Sequence, residues 1–278
     1  MNNIFEQNIL KENTIPVVYI TNDNDCIYTL ISMMSVLENT KEYVEFVILF
    51  KTLSDDSIAI IDKILEYENC NIIYVELLPH MFGDVSALNS ETVLDWYKIA
   101  IPYVLSKAGK AIYLSSTTLV RGDISELYET DLNTNYVAGV TDVWSVDYNV
   151  KRLGIKDKSY INTDILLLNC DLWRKKDLSQ KISDCAKENI ATFFRLPDVL
   201  NYVANKKKML LSTKFNYIET WWHDNLVQYK GDELADYETN KENPLIVNFT
   251  VYKPDDEKSK HSFRDEWLKY HEKYLSMS

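Results

Sequence analysis

Two adjacent tryptophans, Trp221 and Trp222, give the sequence one place where it could contact a carbohydrate. Aromatic rings offer flat apolar faces, so the pair would serve as a platform on which the rings of a sugar acceptor stack. The alternative is core packing, which a chain with 19 tyrosines favours for at least one of the two. Both interpretations stay open at this stage.

Residue spacing excludes several other kinds of site. The six glycines never stand in a G-x-G pattern, so the chain lacks the dinucleotide-binding fingerprint and the phosphate-binding P-loop. The four histidines and four cysteines show no metal-ligand spacing, which argues against a zinc site or a disulfide framework. Scattered reduced thiols are typical of a cytoplasmic protein, and an additional peripheral position at the inner membrane face stays open.

The charge balance narrows the choice of partners. Lys and Arg number 30 and Asp and Glu 42, for a formal net charge of −12. Such a chain is not expected to bind nucleic acid, and any anionic ligand must be held by a local basic pocket. The run of lysines at 206–208 is most simply a solvated charge run.

Hydrophobic periodicity predicts an α/β protein. The first third alternates strand and helix patterns, and its strands are uniformly apolar, which indicates a mostly parallel sheet covered on both sides. Predicted strands lie at 17–20, 46–50, 72–75, 111–114, 119–120, 136–140, 165–168 and 245–249. Predicted helices lie at 25–40, from Ser54 onward, and at 91–106, 172–189, 198–205 and 262–275, while 142–158 is predicted to be an irregular loop.

Several segments resemble glycosyltransferase family 8, which includes lipopolysaccharide galactosyl- and glucosyltransferases and glycogenin. The similarity extends over about residues 15–254. It rests on the opening strand with its turn at 15–25, on 111–128, and on 152–174, which contains the sequence Tyr160-Ile161-Asn162-Thr163-Asp164. The resemblance implies a GT-A fold, a Rossmann-like nucleotide-diphospho-sugar transferase domain. We expect a single domain at 1–278, with a core at 15–254 and a C-terminal helix at 262–275.

The resemblance also implies an activity, which is transfer of a sugar from a UDP-sugar with retention of anomeric configuration. Family members hold manganese on the diphosphate with a D-x-D motif and a histidine. Here Ser115 and Thr117 stand at the two aspartates and Asn248 at the histidine. Neutral hydroxyls and an amide are poor substitutes for carboxylates as ligands of a divalent cation, so the degenerate motif predicts no metal cofactor.

Other family positions imply a donor-binding site. The residues that the resemblance places on the donor are Asp23, Asn24, Lys98, Asn162 and Lys253. For Asp23 and Asn24, the alternative is a polar turn between strand and helix, with Asp25 as the N-cap of the helix. In the family, the position of Asp25 holds an aromatic residue that stacks on uracil.

Two carboxylates are candidate catalytic residues. Asp164 replaces a family glycine where the donor sugar would lie, so it either bonds the sugar or obstructs the pocket. Asp198 lies in Leu196-Pro197-Asp198, where the family has D-Q-D, and its alternative role is at the start of a helix.

These departures favour a non-canonical or catalytically inactive transferase of glycan biosynthesis that binds a sugar, a nucleotide or a partner transferase. The alternative is an active, metal-independent, retaining hexosyltransferase that moves a sugar from a UDP-sugar to a glycan or protein acceptor. A lectin-like binder that uses the acceptor groove alone is a third, weaker alternative.

Overall fold

A seven-stranded sheet organises the part of the chain that the structure describes. The structure is a computed structural model that describes residues 14–78, 90–142, 146–157, 159–188, 195–219, 229–250 and 252–277. In chain order the strands are β1 (Ile15–Ile20), β2 (Val44–Phe50), β3 (Cys70–Glu76), β4 (Lys110–Leu114), β5 (Thr118–Val120), β6 (Val137–Gly139), β7 (Ile165–Asn169), β8 (Lys208–Leu210) and β9 (Ile246–Asn248).

The sheet has the strand order β3-β2-β1-β4-β7-β6-β8, and β5 and β9 form a separate two-stranded sheet. Strands β1 to β4 pair in parallel, as does β6 with β8. Only β7 runs antiparallel to its neighbours β4 and β6 within this described sheet. The prediction of a mostly parallel α/β sheet is therefore confirmed.

Helices cover both faces of the sheet. They are α1 (Cys26–Asn39), α2 (Asp55–Asp62), α3 (Ile101–Val104), α4 (Ser125–Tyr128), α5 (Val146–Leu153), α6 (Cys170–Lys175), α7 (Leu178–Glu188), α8 (Leu196–Val203), α9 (Asp232–Asn240) and α10 (Arg264–Ser276). Short 3-10 helices occupy Lys63–Glu66, Ser90–Ala100 and Thr213–Phe215. No helix in the described ranges is both long enough and apolar enough to cross a membrane.

Side chains alternate between two cores along each central strand. Tyr19 and Phe46 belong to the core that contains α1, whereas Val18 and Leu166 belong to the core beneath α7 and α8. All six residues of β1 are buried. Burial on both faces explains why the strands read as continuous apolar runs rather than alternating patterns.

The predicted strands are all present, with ends shifted by at most two residues. The prediction of one continuous helix at 172–189 is wrong, because two separate helices, α6 and α7, lie there. Asp177 between them has φ 48°, a left-handed conformation that ends a helix and that Asp tolerates better than most residues. The helix predicted at 91–106 is instead mainly a 3-10 helix that leads into the short α3.

Two segments, one predicted to be an irregular loop and the other a solvated charge run, hold ordered elements. The segment 142–158 contains α5, whose Asp147 near the start and Arg152 near the end suit the helix dipole. The run at 206–208 is not a simple solvated surface, because β8 begins at Lys208. The side chain of Lys208 is fully buried and its Nζ lies 2.8 Å from Asp157 Oδ2.

The terminal helix packs on the rest of the protein as a third layer. Trp267 of α10 is 1% exposed and belongs to a cluster with Leu119 of β5 and Val247 of β9. The side chain of Arg121 is only 16% exposed. Its guanidinium binds α10, because Nε donates to Glu266 Oε2 at 2.7 Å and Nη2 donates to Glu266 Oε1 at 3.1 Å.

Candidate functional site

The three positions that the resemblance aligns with the family's metal ligands, Ser115, Thr117 and Asn248, come together at one edge of the sheet. Ser115 follows β4, and its backbone N–H donates to the Asp164 carbonyl over 2.8 Å. Thr117 precedes β5, and its carbonyl accepts from the Phe249 N–H at 3.0 Å. Because β5 pairs with β9, Asn248 lies opposite Thr118. The sequence prediction that these positions share a site is consistent with the geometry.

Asn248 uses its amide nitrogen to bind a carboxylate. Its Nδ2 donates to Asp164 Oδ2 at 3.0 Å and to Asn216 Oδ1 at 3.0 Å. The side chain is 1% exposed, and its Oδ1 has no hydrogen-bond partner among the described residues. An ionised carboxylate only accepts hydrogen bonds, so the contact with Asp164 fixes which way the amide faces.

The bond to Asn216 extends this arrangement into a chain of side-chain amides. Asn216 Nδ2 donates to Asn162 Oδ1 at 2.9 Å, and the same oxygen accepts the Asp164 backbone N–H at 2.9 Å. At the far end, Asn162 Nδ2 lies 3.3 Å from Asp142 Oδ2. The buried network thus ends in a carboxylate on each side, with only amides between them.

The backbone of β6 allows this close packing. A Cβ at Gly139 would lie 3.2 Å from the Asn162 carbonyl oxygen and 3.2 Å from the Ile161 side chain. Such contacts are tighter than ordinary van der Waals packing, so glycine at this position lets β6 approach the segment that carries Asn162.

These residues do not fit a divalent metal ion. Ser115 Oγ and Thr117 Oγ1 are neutral hydroxyls 3.4 Å apart, and the Asp164 carboxylate is already bonded to Asn248. The described residues contain no group of three or more His, Cys, Asp and Glu side chains able to hold a metal. At the position that the resemblance aligns with the family histidine, Asn248 directs its amide N–H at Asp164, and its remaining acceptor is a neutral amide oxygen.

Lys98 supplies a buried positive charge near the same carboxylate. Its Nζ lies 3.2 Å from Asp95 Oδ1 and 4.9 Å from the centre of the Tyr113 ring, and its side chain is 5% exposed. Burial by itself lowers the pKa of Lys98, but Tyr113, Asp95 and Asp164 together raise it above its usual range. The ammonium therefore stays charged in the folded protein.

Lys253, predicted to lie on the donor phosphate, is already paired. Its Nζ contacts Asp25 Oδ1 at 2.6 Å and lies 4.1 Å from the centre of the Tyr28 ring. The Tyr28 hydroxyl donates to both oxygens of Asp255, at 2.8 and 2.7 Å. Burial and the hydrogen bond to Asp255 raise the pKa of Tyr28, so the phenol is neutral.

The turn after β1 is held by contacts within the protein. Asp23 Oδ1 accepts from Ser54 N at 2.9 Å and from Ser54 Oγ at 3.0 Å, and these bonds lower the pKa of Asp23. The side chain of Asn24 is exposed. Asp25 occupies the N-cap position of α1, but its side chain makes no capping hydrogen bond and contacts Lys253 and Asn22 instead.

The second catalytic candidate, Asp198, supports the fold of its neighbourhood. It is 4% exposed in the first turn of α8, and its Oδ1 accepts from Arg152 Nη2 at 2.8 Å and from the Tyr160 hydroxyl at 2.9 Å. These contacts join the start of α8 to α5 and to Tyr160, and the catalytic role of Asp198 stays a prediction. The acceptor candidates Trp221 and Trp222 lie outside the described residues.

Sequence reasoning missed Asn216 and Asp142. Asn216 lies 54 residues from Asn162 and 32 from Asn248, so no local spacing marks it. A backbone bridge between Tyr217 and Val247 brings it beside β9. The only sequence signal for Asp142 is its place just after a predicted strand, where ligand-binding loops of such sheets begin.

Comparison with known proteins places these features in a family. A sequence profile of Glycosyl transferase family 8 matches residues 16–254. The glycosyltransferase GlyB of Streptococcus pneumoniae serotype 4 is 22% identical over 89% of this chain and 59% of its own length. A lipopolysaccharide 1,2-glucosyltransferase of Escherichia coli is 24% identical over 76% of this chain and 64% of its own length. The chain thus spans less than two thirds of either relative.

Among solved structures, the galactosyltransferase LgtC in complex with donor and acceptor sugar analogs is similar, with a TM-score of 0.81. The match covers 95% of this chain and 96% of LgtC at 18% identity. At that identity the likeness concerns the fold alone, and the fold is GT-A.

Proposed function

Because the chain belongs to glycosyl transferase family 8, matching it over residues 16–254, we propose that it is a non-canonical member that has lost metal-assisted sugar transfer. In this proposal the protein acts in glycan biosynthesis by binding a sugar or a partner protein. The partner would be an acceptor glycan or protein, or another glycosyltransferase.

The observation that carries the proposal is the hydrogen bond from Asn248 Nδ2 to Asp164 Oδ2, 3.0 Å long. The resemblance aligns Asn248 with a family histidine and Asp164 with a family glycine. The two side chains that depart from the family are thus hydrogen-bonded to each other. A metal ion entering here would have to displace this bond and would meet the N–H of Asn248. The buried network is complete without the ion, apart from Asn248 Oδ1.

The charges around the site also support weak or absent binding of a UDP-sugar. A diphosphate brings two negative charges to a chain whose net charge is −12. The two cations that the family resemblance places on the donor are both compensated, Lys253 by Asp25 and Lys98 by Asp95. Binding would therefore require breaking an existing ion pair rather than filling a prepared anion site.

Lys98 favours a second candidate function, the metal-independent retaining hexosyltransferase. A buried ammonium that stays charged is a preorganised cation, and such a group can stabilise the negative charge that develops on a departing diphosphate. In this alternative Lys98 would stabilise leaving UDP, and Asp164 would accept a hydrogen bond from a hydroxyl of the transferred sugar.

One experiment separates the two functions. Protein stripped with EDTA is incubated with UDP-, GDP- and CMP-sugars, with and without Mn²⁺, while thermal unfolding and nucleotide release are recorded. A ligand that binds the native state raises the apparent melting temperature. The proposal expects no release under either condition and no rise in Tm that depends on Mn²⁺. Nucleotide release that persists in EDTA would establish the second function, and release that requires Mn²⁺ would overturn both.

We also propose a cytoplasmic location. No disulfide joins the four cysteines Cys26, Cys70, Cys170 and Cys185 in the described structure, and reduced thiols are typical of a reducing compartment. Peripheral contact with the inner membrane face remains part of this proposal, to be tested by fractionation of cells that express the protein.

A further inference from the structure

A pocket lies at the opposite edge of the central sheet from the Asn248 site. Strand β7 begins beside Asp164 and ends at Asn169, and Asn169 lines this pocket. At the usual rise per residue, β7 separates the two edges by about 13 Å. The pocket has a volume of about 520 Å³, within the range of small-molecule sites.

Three lysines from two distant segments line the pocket. Lys175 and Lys176 come from the end of α6 and the turn after it, and Lys207 comes from the residue before β8. Within the described part of the chain, none of the three is paired with a carboxylate. Lys207 Nζ donates to Thr134 Oγ1 at 3.1 Å, which holds this ammonium against the pocket wall.

Among the described residues that line the pocket, Asp171 carries a carboxylate, and it is paired with Arg174. Asp171 Oδ1 contacts Arg174 Nη2 at 2.5 Å. That pairing leaves three ammonium groups around a concave surface in a chain whose net charge is −12. This is the kind of local basic pocket that an acidic protein needs in order to hold an anion.

The remaining wall suits a hydroxylated ring rather than a bare ion. Tyr136 is half-buried in the pocket, and its hydroxyl has no partner among the residues that the structure describes. A tyrosine ring can pack on a sugar face while its hydroxyl bonds a sugar hydroxyl. The half-buried Leu172 adds apolar surface beside it.

We propose that this basic pocket, formed by Lys175, Lys176, Lys207 and Tyr136, binds the phosphate monoester of a sugar. A phosphate monoester carries close to two negative charges at neutral pH, which three ammonium groups can balance. The inference goes beyond the proposed function because it involves no residue of the Asn248 site. The pocket would recognise a phosphorylated sugar whether or not the other edge of the sheet transfers one.

The test compares three probes by calorimetry: glucose 6-phosphate, glucose and inorganic phosphate. We expect glucose 6-phosphate to bind more tightly than either of the others, and its binding to weaken as NaCl is raised. The triple variant Lys175→Gln, Lys176→Gln, Lys207→Gln is expected to lose at least about tenfold in affinity. Tyr136→Leu should weaken glucose 6-phosphate without affecting inorganic phosphate.

A matched triple variant controls for net charge. Lys41→Gln, Lys258→Gln and Lys269→Gln remove the same charge from exposed positions that do not line the pocket. This control, and Lys253→Gln at the other edge of the sheet, should keep the affinity within about twofold. Equal binding of inorganic phosphate, absence of binding, or loss of binding in Lys253→Gln instead of the pocket variant would each overturn the proposal.

Discussion

The amide nitrogen of Asn248 lies 3.0 Å from the carboxylate of Asp164, although the two residues are 84 positions apart in the sequence. One residue ends β9 and the other precedes β7, so the bond joins the small sheet to the central sheet. Each residue departs from the family pattern, and each satisfies the other. The two positions at which the family resemblance implies a departure therefore contact each other directly.

Restoring the family ligands should restore metal binding. In the triple variant Ser115→Asp, Thr117→Asp, Asn248→His, two carboxylates and an imidazole join Asp164 around one point. We expect Mn²⁺ to raise the Tm of this variant and to leave that of the parent protein unchanged, because only the variant offers a set of metal ligands. The double variant that keeps Asn248 is the control and should respond less. No metal uptake by the triple variant would show that the site has closed.

The pair between Lys253 and Asp25 should oppose the binding of a diphosphate. Asp25→Asn removes the carboxylate that pairs with Lys253, so the Lys253 ammonium becomes available to a diphosphate. The side chains are 43% and 28% exposed, so the effect is modest, and we expect UDP affinity to rise about two- to fivefold. Calorimetry at low salt measures it. Adding Lys253→Gln to Asp25→Asn should abolish the gain in UDP affinity. An unchanged UDP affinity in Asp25→Asn would show that Lys253 does not bind the diphosphate of the donor.

The family resemblance and the periodicity together predicted the fold and most of its strands. They did so because β1, β2 and β4 are almost entirely buried and consist mostly of apolar residues. Helix α5 was not predicted, because its mixture of acidic and basic residues is also typical of a loop. The hydrogen bonds of Asn248 with Asp164 and Asn216 could not be predicted from the sequence. They join distant segments, and such bonds produce no periodic pattern of residues.

Asp198 should be needed for stability. Asp198→Asn leaves the guanidinium of Arg152, whose side chain is 15% exposed, without its carboxylate partner. Breaking a partly buried ion pair in this way should lower the free energy of unfolding by about 2 kcal/mol, measured by urea denaturation. Tyr160→Phe keeps the ion pair and should cost only about 1 kcal/mol. Unchanged stability in Asp198→Asn would show that the contacts of this carboxylate do not stabilise the fold.

His261 should make the fold sensitive to mild acid. Burial lowers the pKa of His261 from 6.5 to about 3, and its Nδ1 accepts the Phe263 N–H at 3.2 Å, which requires the neutral ring. Because the folded pKa is depressed, this contribution to stability is complete above pH 6.5 and is lost as the pH falls towards 3. Between about pH 6.5 and 5.5 the free energy of unfolding should fall by about 1 kcal/mol from this residue.

The variant His261→Gln, measured by urea denaturation across this pH range, should remove that component. Glu219 Oε2 lies 3.2 Å from His261 Nδ1, so Glu219→Gln tests whether the carboxylate contributes. We expect Glu219→Gln to keep the decline, since burial is its cause. A decline that persists in His261→Gln would assign it to other groups.

Loss of metal-assisted donor binding is tested most directly by calorimetric titration of UDP into EDTA-treated protein, with and without added Mn²⁺. The Asn248 to Asp164 hydrogen bond occupies the place of a metal ligand, and Lys253 is already paired with Asp25. We therefore predict weak or absent binding that Mn²⁺ does not change. Tight binding of UDP that appears only with Mn²⁺ would contradict it.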